Sequence, residues 1–168
     1  MIGPLELVDP NDPILRTELT RFDFDDPPVD PYELASALNQ KMIIEQGLGL
    51  AANQVGLPHR VFVLANAEAR FIACFNPKIV DSSMTQILLE EGCLSYPGLY
   101  IKIRRPKIIK VRYTQSDGTT VTRKFDGLTA RAFQHELDHL NGIVHIDRAT
   151  KLVKEVAIKK WKKRYGKN

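Results

Sequence analysis

The stretch Gln134-His135-Glu136-Leu137-Asp138-His139-Leu140-Asn141-Gly142 decides how this chain is read. It closes an apolar pattern of helical period that begins at Leu128, and Asn141-Gly142 supplies the stop, so a helix is expected over 128–140. Within that helix His135 and His139 stand four residues apart on one face, with Glu136 beside them. Two imidazoles one turn apart can reach one metal ion, and the adjacent carboxylate then lies where a general base is needed. The five-residue pattern also occurs by chance, as solvated helix residues, and so needs support from elsewhere in the chain.

A catalytic site of this type needs a third protein ligand and an open position for water. Two residues compete for that place. His145 is one, because HELDHLNGIVH (135–145) fits the extended HExxHxxGxxH pattern of zinc endopeptidases. Those enzymes also need a methionine-containing turn downstream of the histidines, whereas Met1, Met42 and Met84 all lie upstream. His145 reads better as a half-buried residue on an outgoing segment. The other is Cys93, in Glu91-Gly92-Cys93-Leu94-Ser95. A lone cysteine is most often a small buried hydrophobe. Here Gly92 permits close backbone approach, and Tyr96-Pro97-Gly98 is expected to break the strand and aim a ligand inward. A thiolate beside two imidazoles suits iron or zinc over magnesium or calcium. The reading from a different class is a non-catalytic binding module with a structural metal, which would need a fourth protein ligand from Cys74, His59 or His145.

A third segment, GLGLAANQ (47–54), follows the first long helix. It is not a dinucleotide fingerprint, since no strand precedes it and the third glycine is missing. Ala-Ala after Gly-x-Gly is by itself a sign of close packing.

The remaining chain supplies the frame. Asp30-Pro31-Tyr32-Glu33 has the form of a helix start, with Asp as N-cap, Pro at N1 and Glu at N3 able to return a capping bond. Leu34, Leu38 and Met42 continue it to about Gln46, before Gly47. From His59 to Phe125 the runs Arg60–Leu64, Phe71–Val80, Ile101–Ile103, Lys107–Tyr113 and Thr119–Phe125 read as antiparallel strands, with Ser116-Asp117-Gly118 as a tight turn. A last helix is expected over Asp147–Tyr165, and the first thirty residues read as an irregular arm. The fold class expected is α+β, a single domain over 1–168 with antiparallel sheets packed around the central HExxH helix and a helix near each end.

Composition narrows the function classes. The 43% hydrophobic content suffices for one core, no run of eighteen apolar residues suggests a membrane span, and the Pro- and Asp-rich start does not resemble a signal peptide, so a cytoplasmic protein without a disulfide is expected. The net charge of +4 comes from the tail: Lys151 to Asn168 holds eight bases against Glu155, which leaves the other 150 residues at −3. A uniformly basic nucleic-acid-binding body is therefore not indicated.

Taken together, GLGLAANQ (47–54), EGCLS (91–95) and QHELDHLNG (134–142) resemble, in this order, the three-part signature of the peptide deformylases. The resemblance spans roughly Leu34 to Asp147, with His145 standing where relatives often carry an aromatic residue. It implies a hydrolase that removes the N-formyl group from the initiator methionine of new polypeptides. By resemblance Cys93, His135 and His139 hold a divalent metal, iron(II) physiologically and zinc or nickel in purified protein, with water as the fourth ligand. Glu136 would move the proton, and the side-chain amide of Gln54 with the backbone N–H of Leu94 would bind the developing oxyanion. Gly49 matches the position whose backbone pairs with an extended substrate, and Leu48, Leu89 and Leu128 match positions near the methionine pocket. Asp138 and Gln134 are candidates for orienting the histidines. The partner implied is the formyl-methionyl nascent peptide; the basic C-terminal helix reads either as a solvated charged face or, as in bacterial relatives of the family, as a contact for the ribosome, and a monomer is expected. On that helix Leu152 and Val156 are expected to pack on the domain while the lysines project outward.

Overall fold

The Asp30-Pro31 start behaves as its residue types require. In the computed structural model, which describes residues 1–66 and 70–166, Asp30 Oδ1 accepts from the Glu33 N–H at 2.7 Å, and α1 runs over Pro31–Ile44. Glu33 does not return the capping bond to Asp30; its carboxylate accepts from the Ile2 N–H at 2.5 Å and ties down the N-terminus. The helix stops two residues before the expected Gln46, which adopts φ +56°, and the Gly47 N–H closes back on the Met42 carbonyl at 2.9 Å.

The strands are β1 (Gly49–Ala51), β2 (Val61–Ala65), β3 (Phe71–Ser82), β4 (Gln86–Cys93), β5 (Tyr96–Pro106), β6 (Ile108–Thr114) and β7 (Thr120–Asp126). All pairings are antiparallel, giving a five-stranded sheet of order β1-β2-β3-β6-β7 and a two-stranded sheet, β4-β5, inserted between β3 and β6. The Asp-Gly turn is present, with Gly118 at φ +82°. Two strands, β1 and β4, had no legible signal: β1 is three residues long, and β4 is an edge strand whose side chains are mostly exposed, so neither shows clean alternation. Tyr96-Pro97-Gly98 does not end the strand but does interrupt its pairing: Gly98 takes φ +77°, and the β4–β5 register shifts between the Cys93↔Tyr96 and Glu91↔Ile101 pairs. The two-residue turn is Leu94-Ser95, and β5 resumes at Tyr96 and runs on well past Ile101–Ile103.

β2 explains how the layers form. Its apolar run is buried on both faces: Val61 and Val63 pack with Leu34, Leu38 and Met42 of α1, while Phe62 and Leu64 pack with Ala130, Phe133 and Leu140 of α2 (Gly127–Leu140). α2 thus lies against the large sheet, and it also touches β5 of the small one. Burial of four such side chains contributes on the order of 6–12 kcal/mol before entropy is counted. The arm is less irregular than its composition implies. Leu15, Leu19 and Phe22 are buried, the Leu19 N–H donates to the Leu140 carbonyl at 2.9 Å, and the Asn76 side chain brackets the Phe22 backbone at 2.8 and 2.9 Å.

The final helix, α3 (Lys151–Tyr165), begins after a 3-10 turn at His145–Arg148 rather than at Asp147, capped by Thr150. Its packing face differs from expectation. Leu152 and Val156 are 71% and 60% exposed, whereas Ala157, Ile158 and Trp161 face the cluster of Tyr96, Leu99 and Ile101. Lys167 and Asn168 of the basic tail lie outside the described residues.

Candidate active site

α2 and the end of β4 bring the three expected ligands together. Cys93 Sγ stands 3.2 Å from His139 Nε2, which is 3.3 Å from His135 Nε2, and all three donor atoms lie within 4.8 Å of one another. Ligands at about 2.05 Å (N) and 2.3 Å (S) in a tetrahedral arrangement are separated by about 3.3 Å (N to N) and 3.6 Å (N to S), so the donor set fits one metal ion without rearrangement of the backbone. Among the described residues this is the one such group. Burial and the neighbouring His135 charge hold His139 well below the usual histidine range, which favours the neutral, ligating imidazole. Cys74, the other cysteine, is free and fully buried in the core between α2 and the large sheet, so no disulfide competes for Cys93.

Glu136 lies next to this group and is only 4% exposed. Its Oε2 has no hydrogen-bond partner among the described residues, and burial pushes its carboxyl up to about 7. A carboxylate in that state can both take and release a proton near neutrality. Gly49 is shaped by it: a Cβ at that position would come within 2.6 Å of Glu136 Oε1 and 2.7 Å of its Cγ, so only glycine lets β1 pass this close.

The orientation of His135 comes from a residue to which the sequence assigned no role. His135 Nδ1 is 2.9 Å from Glu91 Oε1, and Glu91 is in turn held by Arg105, through Nε at 2.6 Å and Nη2 at 2.9 Å, and by Arg131 Nη1 at 2.5 Å. Burial would raise the Glu91 carboxyl, but the hydrogen bonds from His135 and Arg105 outweigh it and keep the group ionised. Asp138 does not touch either imidazole; it accepts from Arg105 at 2.9 Å and from Arg148 at 2.5 and 3.0 Å. Gln134 likewise donates to the Pro106 and Ala130 carbonyls. The signal available in the sequence was Glu91 inside the same short segment as Cys93; its partners, fourteen and forty positions away, carried none.

Cys93 and His135 of this donor group line a cleft of about 560 Å³. Gly47, Leu48, Gly49 and Gln54 line one side, Leu128, Ala132, His135 and Glu136 of α2 another, and Pro97, Gly98 and Tyr100 of β5 a third. Gln54 is buried; its Oε1 accepts from the Ala51 N–H at 2.9 Å, which aims Nε2 at Ser95 Oγ (3.0 Å) and Cys93 Sγ (3.7 Å). Leu94 also lines the cleft and its side chain presses on Gly47, where a Cβ would lie 2.7 Å from Cδ1. Leu48 and Leu128 are on the lining, 58% and 64% exposed, but Leu89 is not. His145 stands apart from the donor group: its Nε2 is 3.0 Å from the Leu99 carbonyl, and burial pushes its pKa down to about 4.

A family model described as polypeptide deformylase matches residues 4–155. The chain belongs to that family. The peptide deformylase of Brucella suis is 42% identical over 157 residues, spanning 90% of this chain and 88% of the relative, and that of Rhizobium meliloti is 38% identical over 156 residues with the same coverage. Among solved structures, a peptide deformylase from Synechococcus elongatus in complex with actinonin superposes with a TM-score of 0.86 at 34% identity, over 95% of this chain and 89% of that one. One from Ehrlichia chaffeensis, also in complex with actinonin, gives 0.86 at 35% identity over 99% and 100%. As a peptide deformylase the protein is a metal-dependent hydrolase that removes the N-formyl group from newly synthesised polypeptides, and its α+β architecture is that of the family. No helix among the described residues is long and apolar enough to cross a membrane.

Proposed function

We propose that this deformylase holds iron(II) through Cys93, His135 and His139, with zinc or nickel able to take the same three donors, and that Glu136, Gln54 and Leu94 carry the hydrolysis. What supports this is the convergence of the three donor atoms within 4.8 Å, with Cys93 and His135 lining the cleft, beside a buried carboxylate with an unpartnered oxygen. A divalent ion held by these three donors would supply the Lewis acidity that lets a water lose its proton near neutral pH. Glu136 Oε2 accepts that proton as the formyl carbon is attacked and returns it to the departing amine nitrogen. Gln54 Nε2 and the Leu94 backbone N–H donate to the formyl oxygen as charge builds there. Gly49 leaves room for an extended peptide to pair with its backbone, and Leu48 and Leu128 give the methionine side chain an apolar surface.

Formyl places only a hydrogen beside the reacting carbonyl, so a tight site excludes acetyl on size. The test is turnover of a formyl-Met-peptide beside its acetylated counterpart, anaerobically with iron(II). Release of formate without release of acetate is expected; equal cleavage of both, or cleavage of internal peptide bonds, would overturn the assignment. The exposed cations of α3 also suit contact with ribosomal RNA near the peptide exit, which predicts co-sedimentation with ribosomes that weakens steeply as salt is raised.

A further inference from the structure

The C-terminal helix reaches the substrate cleft. Its last two turns meet β5 directly after the Cys93-Leu94-Ser95 corner: Trp161 Nε1 donates to the Pro97 carbonyl at 2.7 Å, and the Trp161 ring lies 6.0 Å from that of Tyr96. One turn on, Tyr165 covers Gly98. A Cβ on Gly98 would lie 2.4 Å from the Tyr165 ring and would displace it, and the backbone conformation, φ +77°, favours glycine there. Pro97 and Gly98 are themselves part of the cleft wall, and Ala157, Ile158 and Trp161 share one apolar cluster with Tyr96, Leu99 and Cys93.

We propose that Trp161 and Tyr165 are positioning residues that hold the Pro97–Gly98 wall in place, so that the end of α3 helps to select the peptide residues that follow formyl-methionine. The proposal rests on the deformylase reading of the cleft. With the methionine side chain against Leu48 and Leu128, the β5 wall is left for the downstream residues. Pro97 has no N–H to donate and falls where the β4–β5 register shifts between the Cys93↔Tyr96 and Glu91↔Ile101 pairs, so its carbonyl, held by the Trp161 indole, fixes a stretch that ladder pairing does not.

Full-length, metal-loaded Trp161→Phe keeps an aromatic ring in the cluster but loses the donor and part of the indole. Its KM for formyl-Met-Ala-Ser should rise about three- to tenfold, the range one hydrogen bond supports, with kcat little changed and with formyl-methioninamide, which has no downstream residue, unaffected. Loss shared equally by the two substrates, as global destabilisation would give, overturns the proposal, and so does no change with either. Trp161 is the one tryptophan in the chain. Its emission in the wild-type protein should therefore respond, saturably, to the product peptide Met-Ala-Ser and not to methioninamide. This readout needs no variant to fold, and an unchanged spectrum would sink the idea while leaving deformylation itself intact.

Discussion

Glu91→Gln is the most informative perturbation, because the effect can be worked out from four bonds. Glu91 Oε2 accepts from Arg105 Nε and Arg131 Nη1, and Oε1 accepts from Arg105 Nη2 and His135 Nδ1. An amide keeps the shape but replaces one oxygen by an NH2, and whichever end that group takes, it faces two donors. Two of the four charge-assisted bonds are lost, at about 1.5–3 kcal/mol each, and two buried guanidiniums, 5% and 9% exposed, lose the carboxylate between them. That matches the roughly 3–5 kcal/mol seen when one partner of a buried ion pair is removed. For a chain of this length the loss corresponds to a fall in Tm of roughly 6–20 °C. His135 also loses the group that fixes its ring, so metal affinity should drop about 10- to 100-fold. Thermal unfolding with metal titration on the purified variant checks both. A Tm within about 2 °C of wild type together with unchanged metal affinity would falsify the view that this carboxylate organises the site.

Other outcomes follow from the same geometry. Glu136→Ala should lower turnover about 10²- to 10⁴-fold with metal content intact; loss of metal would reassign the carboxylate as a ligand. Cys93→Ala should leave the protein depleted of metal while His145→Ala does not, and metal analysis giving the reverse would favour the protease-like ligand set. Gly49→Ala places a methyl within 2.6 Å of Glu136 Oε1, so kcat should fall at least tenfold at about 1–3 kcal/mol of lost stability; near-normal kcat in a folded variant would contradict the close approach. His145, with a folded pKa of about 4 against an ordinary 6.5, refuses a proton that the unfolded chain accepts, so its contribution to stability falls as pH drops through that window. Between pH 7.5 and 5 this amounts to about 2 kcal/mol, and His145→Phe should lose that much less stability on acidification than wild type, as read from urea midpoints.

The histidine pair was legible in the sequence because its groups are local. His135, Glu136 and His139 lie within one helical turn of each other, and periodicity alone puts the two imidazoles on one face. Cys93 competed with His145 for the third donor position on local grounds, and Gln54 entered only through the family resemblance. The α1 start and the Asp-Gly hairpin are equally local, set by caps and turn residues acting over three or four positions. Tertiary structure alone decided what depends on partners far along the chain. Glu91 became the support of His135 only when Arg105 and Arg131 converged on it, and Asp138, the nearer candidate, was drawn instead to Arg105 and Arg148. The β4 strand shows no alternation because it is an exposed edge, and it exists because β5 pairs with it. α3 carries apolar residues on more than one side, so its own pattern did not fix which face packs; the surface of β5 selected Ala157, Ile158 and Trp161. Local hydrogen-bonding and periodicity act over a few residues and leave a mark in composition, whereas a buried charge or a helix face is satisfied by whichever distant groups the folded chain brings within about 3–4 Å of it.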